Sequence, residues 1–126
     1  MFKKFRIISL LAVMLAPSML FAGSLDGTIW DMREKGTRLW ATDQFKFENG
    51  QFKSKEALGN GFNPTDYEVT QNQYGKTWTA AHTNEKNEKI EWVGMSTNNR
   101  MEGSYTINKP NGERVVRYWK ADLVTP

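Results

Sequence analysis

Beyond residue 26 the chain alternates apolar and polar positions in short runs broken by Gly, Asn and Pro, and no stretch carries a helical stripe of useful length. The alternation predicts eight strands over about 27–33, 43–48, 51–56, 66–71, 76–83, 89–96, 100–107 and 114–122. Two turns set the register. In "FKFENGQFKS", Asn49-Gly50 suits a two-residue turn with positive φ at both positions, so Phe47 faces Phe52 and Phe45 faces Ser54. Lys46 then faces Lys53 on the other side, a pair tolerable only in water, which assigns the aromatic face inward.

The stretch "IEWVGMSTNNRMEGSYTI" reads the same way about Asn98-Asn99. Its inward pairs are Ser96–Met101, Gly94–Gly103, Trp92–Tyr105 and Ile90–Ile107. Two facing glycines beside two facing aromatics have two readings. Either the sheet bends there and a tryptophan from across the core fills the gap, or the gap admits a ligand. Carried through the other strands, the same face holds Thr28, Trp30 and Met32, then Tyr67, Val69 and Gln71, then Trp78, Ala80 and His82. In "RVVRYWKA" the inward set is Val115, Arg117, Trp119 and Ala121. A sheet of eight antiparallel strands with one apolar face can close on itself and lose its edges, so an up-and-down barrel is expected ahead of an open sandwich.

Short turns alternate with longer connections, which places the two kinds at opposite ends of such a barrel. The loop-rich end is the expected mouth, because sites concentrate on loops held by a rigid scaffold. There "EKGTRLWATD" carries Leu39 and Trp40, a lid over the barrel or a plug on its edge. "ALGNGFNP" carries Phe62 between chain breakers, with a short helical turn as an alternative start.

Composition narrows the class. A basic start (Lys3, Lys4, Arg6), an apolar run from Ile7 to Leu15 and a small-residue end at Ala22 have the order of a secretory signal peptide, giving residues 1–22 as signal and 23–126 as one domain. The apolar run is too short for a comfortable membrane span, and no span is expected in the mature chain. Those three basic side chains belong to the 17 of the whole chain, and no acidic residue precedes Asp26, so the mature part balances its 14 acidic residues. The basic balance thus resides in the signal, and no clustered basic face speaks for nucleic acid. The chain has no cysteine. Without disulfides its core rests on aromatic area, and all five tryptophans lie beyond the signal.

The succession "LDGTIW", "DQFKFENGQFKSKEA", "GNGF", "TWTA", "IEWVG", "RMEGSY" and "KPNGERV" resembles small exported bacterial proteins with a lipocalin-like, calycin-type barrel. Many of those have no assigned ligand, so the resemblance implies fold more than activity. Lipocalins open with Gly-x-Trp and pack a late basic residue over that Trp. Here Gly27-Thr28-Ile29-Trp30 is one residue longer, and Arg117 or Lys120 would supply the basic partner, with Trp30–Arg117 stacking as the expectation.

Catalytic arrangements are poorly supplied. One histidine and no cysteine exclude a Cys–His nucleophile and a structural zinc site. His82 reads as a rim histidine or a polar ligand contact, and the hairpin register sets Asp43 opposite Glu56, a carboxylate pair if the ladder reaches them. The expectation is a periplasmic or secreted, monomeric binding protein, not an enzyme, without cofactor or metal, for a small apolar or amphipathic ligand. Trp78, Trp92 and Tyr105 would be its walls, Arg117 its polar anchor, and Trp40 and Phe62 its gate. The alternative is a packed barrel that binds an envelope protein or glycan through its loops or through Val93, Met95 and Tyr118 on the outer face.

Overall fold

A computed structural model describes residues 24–125, so the expected signal peptide lies outside the described residues. Eight strands follow one another: β1 (Thr28–Lys35), β2 (Thr42–Glu48), β3 (Gln51–Ser54), β4 (Thr65–Asn72), β5 (Gly75–Thr83), β6 (Lys89–Thr97), β7 (Arg100–Asn108) and β8 (Arg114–Thr125). One short helix, α1 (Lys55–Gly59), stands between β3 and β4. Each strand pairs antiparallel with the next, and β8 returns to β1, so the sheet is a closed barrel rather than an open sandwich.

The turn chemistry delivers the expected register. Asn49 and Gly50 take φ of 55° and 75°, and Phe47 pairs with Phe52 and Phe45 with Ser54. Both lysines of the Lys46–Lys53 pair reach the Glu48 carboxylate, at 3.5 and 2.8 Å, which offsets their repulsion on the wet face. Around Asn98, at φ 55°, the pairs are Ser96–Met101, Gly94–Gly103, Trp92–Tyr105 and Ile90–Ile107. Three boundaries differ from expectation by two residues or more. β1 runs on to Lys35 and β8 to Thr125, while β3 stops at Ser54 because that residue caps α1, its hydroxyl accepting from Ala57 N at 3.1 Å.

The interior is filled by side chains. Trp30, Trp78, Trp92, Trp119, Phe45, Phe47 and Phe52 are all buried, and their rings meet mostly edge to face or tilted. Gly94 and Gly103 exist to admit that filling. A Cβ on Gly94 would stand 2.5 Å from Trp78 Nε1 and 2.8 Å from Trp119 Cη2. On Gly103 it would stand 2.0 Å from the Val93 carbonyl oxygen and 2.6 Å from Trp119 Cζ2. The glycine pair therefore lets tryptophans close the core.

The short-turn end is closed by the chain just before β1. Tyr67 donates its hydroxyl hydrogen to Asp26 Oδ1 at 2.6 Å and accepts from Leu25 N at 3.0 Å. Asp26 in turn accepts from Gly50 N, tying the strap to the β2–β3 turn. Burial, helped by the Asp26 carboxylate, pushes the Tyr67 phenol up to about 12.

The expected Trp30–Arg117 stacking is not formed. β8 sets Leu123 opposite Trp30, and Arg117 lies past Tyr118, the partner of the last residue of β1. The added residue in the opening motif and the length of β8 carry the guanidinium toward the other end. Trp30 Nε1 is satisfied instead by Thr28 Oγ1 at 2.8 Å.

The glycine contacts set a stability prediction. Gly103→Ala meets backbone on one side and a fully buried indole on the other, so overpacking should cost about 3 kcal/mol or more. Urea denaturation of the variant should show a midpoint lowered accordingly, and an unchanged midpoint would contradict the packing described.

Candidate functional site

Three of the buried polar residues, Glu34, Asp43 and Ser54, lie toward the loop-rich end, while Ser96 lies beside the Asn98 turn at the other. The alternation that turns Trp30 and Met32 inward continues along β1 to Glu34, which is also buried. Its carboxylate accepts from Leu39 N at 2.6 Å and from Trp40 N at 3.3 Å to each oxygen. The Tyr105 hydroxyl on β7 donates to its other side, at Oε2. One carboxylate thus ties the β1–β2 connection to β7, two strands away around the barrel.

That connection folds over the mouth. Gly36 and Ala41 bracket it with φ of 70° and 68°, the second being a conformation unfavourable for a residue with a Cβ. Between them the Trp40 indole stacks on Tyr105, with ring centroids 5.0 Å apart and planes at 19°. It also lies 6.3 Å from Trp92 at 29°. Trp40 is half-buried, whereas Leu39 points out.

Arg117 is the cross-strand neighbour of Tyr105 and stands half-buried beside it. Its Nη1 donates to the Val116 carbonyl at 2.8 Å, and its buried Nε has no partner among the described residues. Burial first, then the bond to Glu34 and the Glu34 charge, hold the Tyr105 phenol well above its ordinary value, and the Arg117 charge opposes them.

Asp43 and Ser54 occupy the next part of the same layer. Ser54 donates its hydroxyl hydrogen to Asp43 Oδ2, and Asp43 Oδ1 accepts from Glu56 N at 3.0 Å and Gln44 N at 2.7 Å. The carboxylate pair expected from the register is therefore a carboxylate facing a backbone amide, because the chain turns into α1 before Glu56 can pair across. Burial raises the Asp43 pKa to about 6, against the lowering effect of its three donors.

His82 and Phe62 seal the remaining side. His82 accepts from Trp92 Nε1 at its Nε2, at 3.0 Å, so its Nδ1 carries the hydrogen given to the Asn63 carbonyl at 2.8 Å. Desolvation lowers its pKa, and the bond to Asn63 works the other way. Phe62 is buried with its ring 5.0 Å from the imidazole.

Of the six residues the sequence singles out, Trp40, Trp92, Tyr105 and Arg117 meet at one place, and Phe62 borders it through His82. Trp78 sits deeper, its ring against Phe52 at 4.8 Å and its Nε1 on Met101 Sδ at 3.2 Å, with no free face toward the mouth. Glu34 is the residue that sequence reasoning missed. Its signal was the inward alternation of β1, hidden by ending that strand two residues early.

Outside the barrel the sheet carries shallow grooves. One of about 460 Å³ crosses the outer face of β4 to β7 between Glu68, Thr79, Val93 and Ser104. Val93, Met95 and Tyr118 are exposed at 41%, 44% and 59%, and Ser104 bridges Val93 and Tyr118 across the strands. Among the described residues no group of three His, Cys, Asp or Glu could hold a metal ion, and no helix is long and apolar enough to cross a membrane. No family model, curated protein or solved structure matches this chain.

The raised Asp43 pKa has a definite sign. The folded state keeps a proton that the unfolded state has lost, so the stabilisation is complete below the ordinary value of 3.8 and vanishes as pH rises through about 6. A rise of that size corresponds to about 3 kcal/mol. Asp43→Asn keeps an acceptor for both amides and a donor for Ser54, and it should abolish this decline between pH 4 and 7. The lowered His82 pKa acts in the opposite direction, its stabilisation being lost as pH falls through 6.5 and below. Urea midpoints across pH 4–7 should therefore rise with pH in the variant, and a slope identical to wild type would refute the assignment to Asp43.

Proposed function

We propose that this is an exported, monomeric binding protein with a lipocalin-like barrel, which takes a small amphipathic molecule at its loop-rich end rather than along its full axis. The observation that carries this reading is the Glu34–Trp40–Tyr105 latch. The body of the barrel is an aromatic core, yet under the lid it buries a carboxylate bonded to a phenol, beside a guanidinium nitrogen that, like Trp119 Nε1 in the core, has no partner among the described residues. A protein selected for stability alone would gain by making that layer apolar, since buried polar groups cost free energy unless fully satisfied. Breaches of local rules that cluster on loops of a rigid scaffold are the usual mark of a site. Binding would consist of swinging residues 36–41 outward, so that a ligand ring replaces the Trp40 indole on Tyr105 and Trp92. No chemical step is part of this role.

A second reading uses the outer face. Val93, Met95 and Tyr118 are exposed on the outer sheet, where Ser104 separates Tyr118 from Val93, and would offer apolar contacts to an envelope protein or glycan. It has no comparable cluster of buried polar groups to support it.

The lid reading makes a binding prediction. Trp40→Ala deletes two aromatic contacts that hold the lid shut, each worth about 1 kcal/mol, so the competent fraction and the apparent affinity should rise about tenfold or more. N-phenyl-1-naphthylamine, a neutral apolar fluorophore, reports this directly. Enhanced emission that is stronger in Trp40→Ala than in wild type, and lost again in Trp40→Ala/Trp92→Ala, is the expected result. If neither wild type nor a folded Trp40→Ala protein binds the dye, the lid end is a plug and the outer-face reading takes precedence.

A further inference from the structure

We infer that the lid stands in for the ligand, and that the ligand is a cationic aromatic amine whose ring lies on Tyr105 and whose ammonium reaches Glu34. This rests on the reading of the lid end as a binding site and adds the chemical class. Three features of the lid define what must replace it. It lays a flat bicyclic ring on the Tyr105 phenol, nearly parallel. It carries two N–H donors, from Leu39 and Trp40, to a single buried carboxylate. It offers that carboxylate no acceptor.

A molecule that displaces the lid strips Glu34 of those donors, leaving only the Tyr105 hydroxyl. A neutral ring without donors leaves the carboxylate short of partners in a dry site, which is costly. An ammonium a few bonds from the ring supplies three donors and a compensating charge, the stronger kind of hydrogen bond to a carboxylate.

Charge in the surrounding layer points the same way. Glu34 and Asp43 both act on the Tyr105 phenol to raise its pKa, and among the described residues the Arg117 cation acts against them. Arg117 already gives Nη1 to the Val116 carbonyl. An anionic head group would meet two carboxylates against one partly engaged guanidinium. Glu34, not Arg117, is then the polar anchor of the site.

The test compares tryptamine, indole and indole-3-propionate, which share a ring and differ in charge. In the unmodified protein, tryptamine should move the amide proton resonances of Leu39 and Trp40 as they leave Glu34, at concentrations where indole-3-propionate does not. Trp40→Ala should bind tryptamine at least tenfold more tightly than indole-3-propionate. Adding Glu34→Gln should bring that ratio to within about threefold, whatever it does to stability. If the dye binds and indole-3-propionate equals or exceeds tryptamine, the amine assignment is overturned while the lid-end site stands. If no indole moves the Leu39 and Trp40 amides and the dye does not bind either, both are overturned.

Discussion

Everything in this barrel depends on how Trp119 is seated. Its indole lies against the bare backbones of Gly94 and Gly103, nearer than any side chain at those positions would permit. From there it makes an edge contact with Phe45 and a tilted one with Trp78, joining β8 to β2 and β5 across the interior. Closing a sheet of this length without disulfides demands large apolar area from few residues, and tryptophans supply it only where backbone makes room. The glycine pair is thus the geometric condition for closure, and the Asn98 turn is the condition for the glycines to face each other.

With the body filled from within, the ends are left to loops, and the two ends are sealed by different chemistry. At the short-turn end, Asp26, Tyr67 and Gly50 bind one another in a network whose members lie near the surface, where water shares the cost of their polarity. At the loop-rich end, Glu34 and Asp43 are drawn inside, and each turns its oxygens to backbone amides of a connection: Glu34 to the lid, Asp43 to the start of α1. Both carboxylates therefore set where loops begin and end. Only Glu34 also ties a loop aromatic to a core aromatic, which makes the lid the element whose release would change what the barrel exposes.

Strand order, register and inner face were legible because they follow from period-2 alternation pinned by two Asn-led turns. A one-residue slip would have put Phe45, Phe47 and Phe52 in water, and nothing else in the chain could replace them. The cluster of Trp40, Trp92, Tyr105 and Arg117 was legible in its membership, since alternation and loop position bring each residue to one end. Its centre was not. A glutamate after two inward apolar residues reads as the end of a strand, and only the amides of Leu39 and Trp40, brought back by positive φ at Gly36 and Ala41, make its burial tolerable. Likewise Ser54 looks like a strand residue until its hydroxyl is seen capping α1, a choice that tertiary contact with Asp43 decides. Trp30 and Arg117 show the converse limit. A family spacing transferred to a longer opening motif put together two residues that the pairing of β1 with β8 keeps apart.

The size of the lid also bounds what such a protein can do. A ligand that replaces one indole and two amide donors has on the order of a dozen heavy atoms. At about 0.5 kcal/mol per atom it gains roughly 6 kcal/mol, an affinity in the tens of micromolar before the lid is opened. Opening would sacrifice the Trp40 stacking and the Glu34 bonds, and a ligand would regain both only if its chemistry matched theirs. On the proposed reading the lid would act as a competitor that sets a threshold: poorly matched molecules would not displace it, and well matched ones would bind weakly and leave quickly. A barrel filled in this way would not sequester a ligand as a cavity-bearing one does. It would suit transient capture of an abundant ligand, with selectivity coming from the self-contact that the ligand must break.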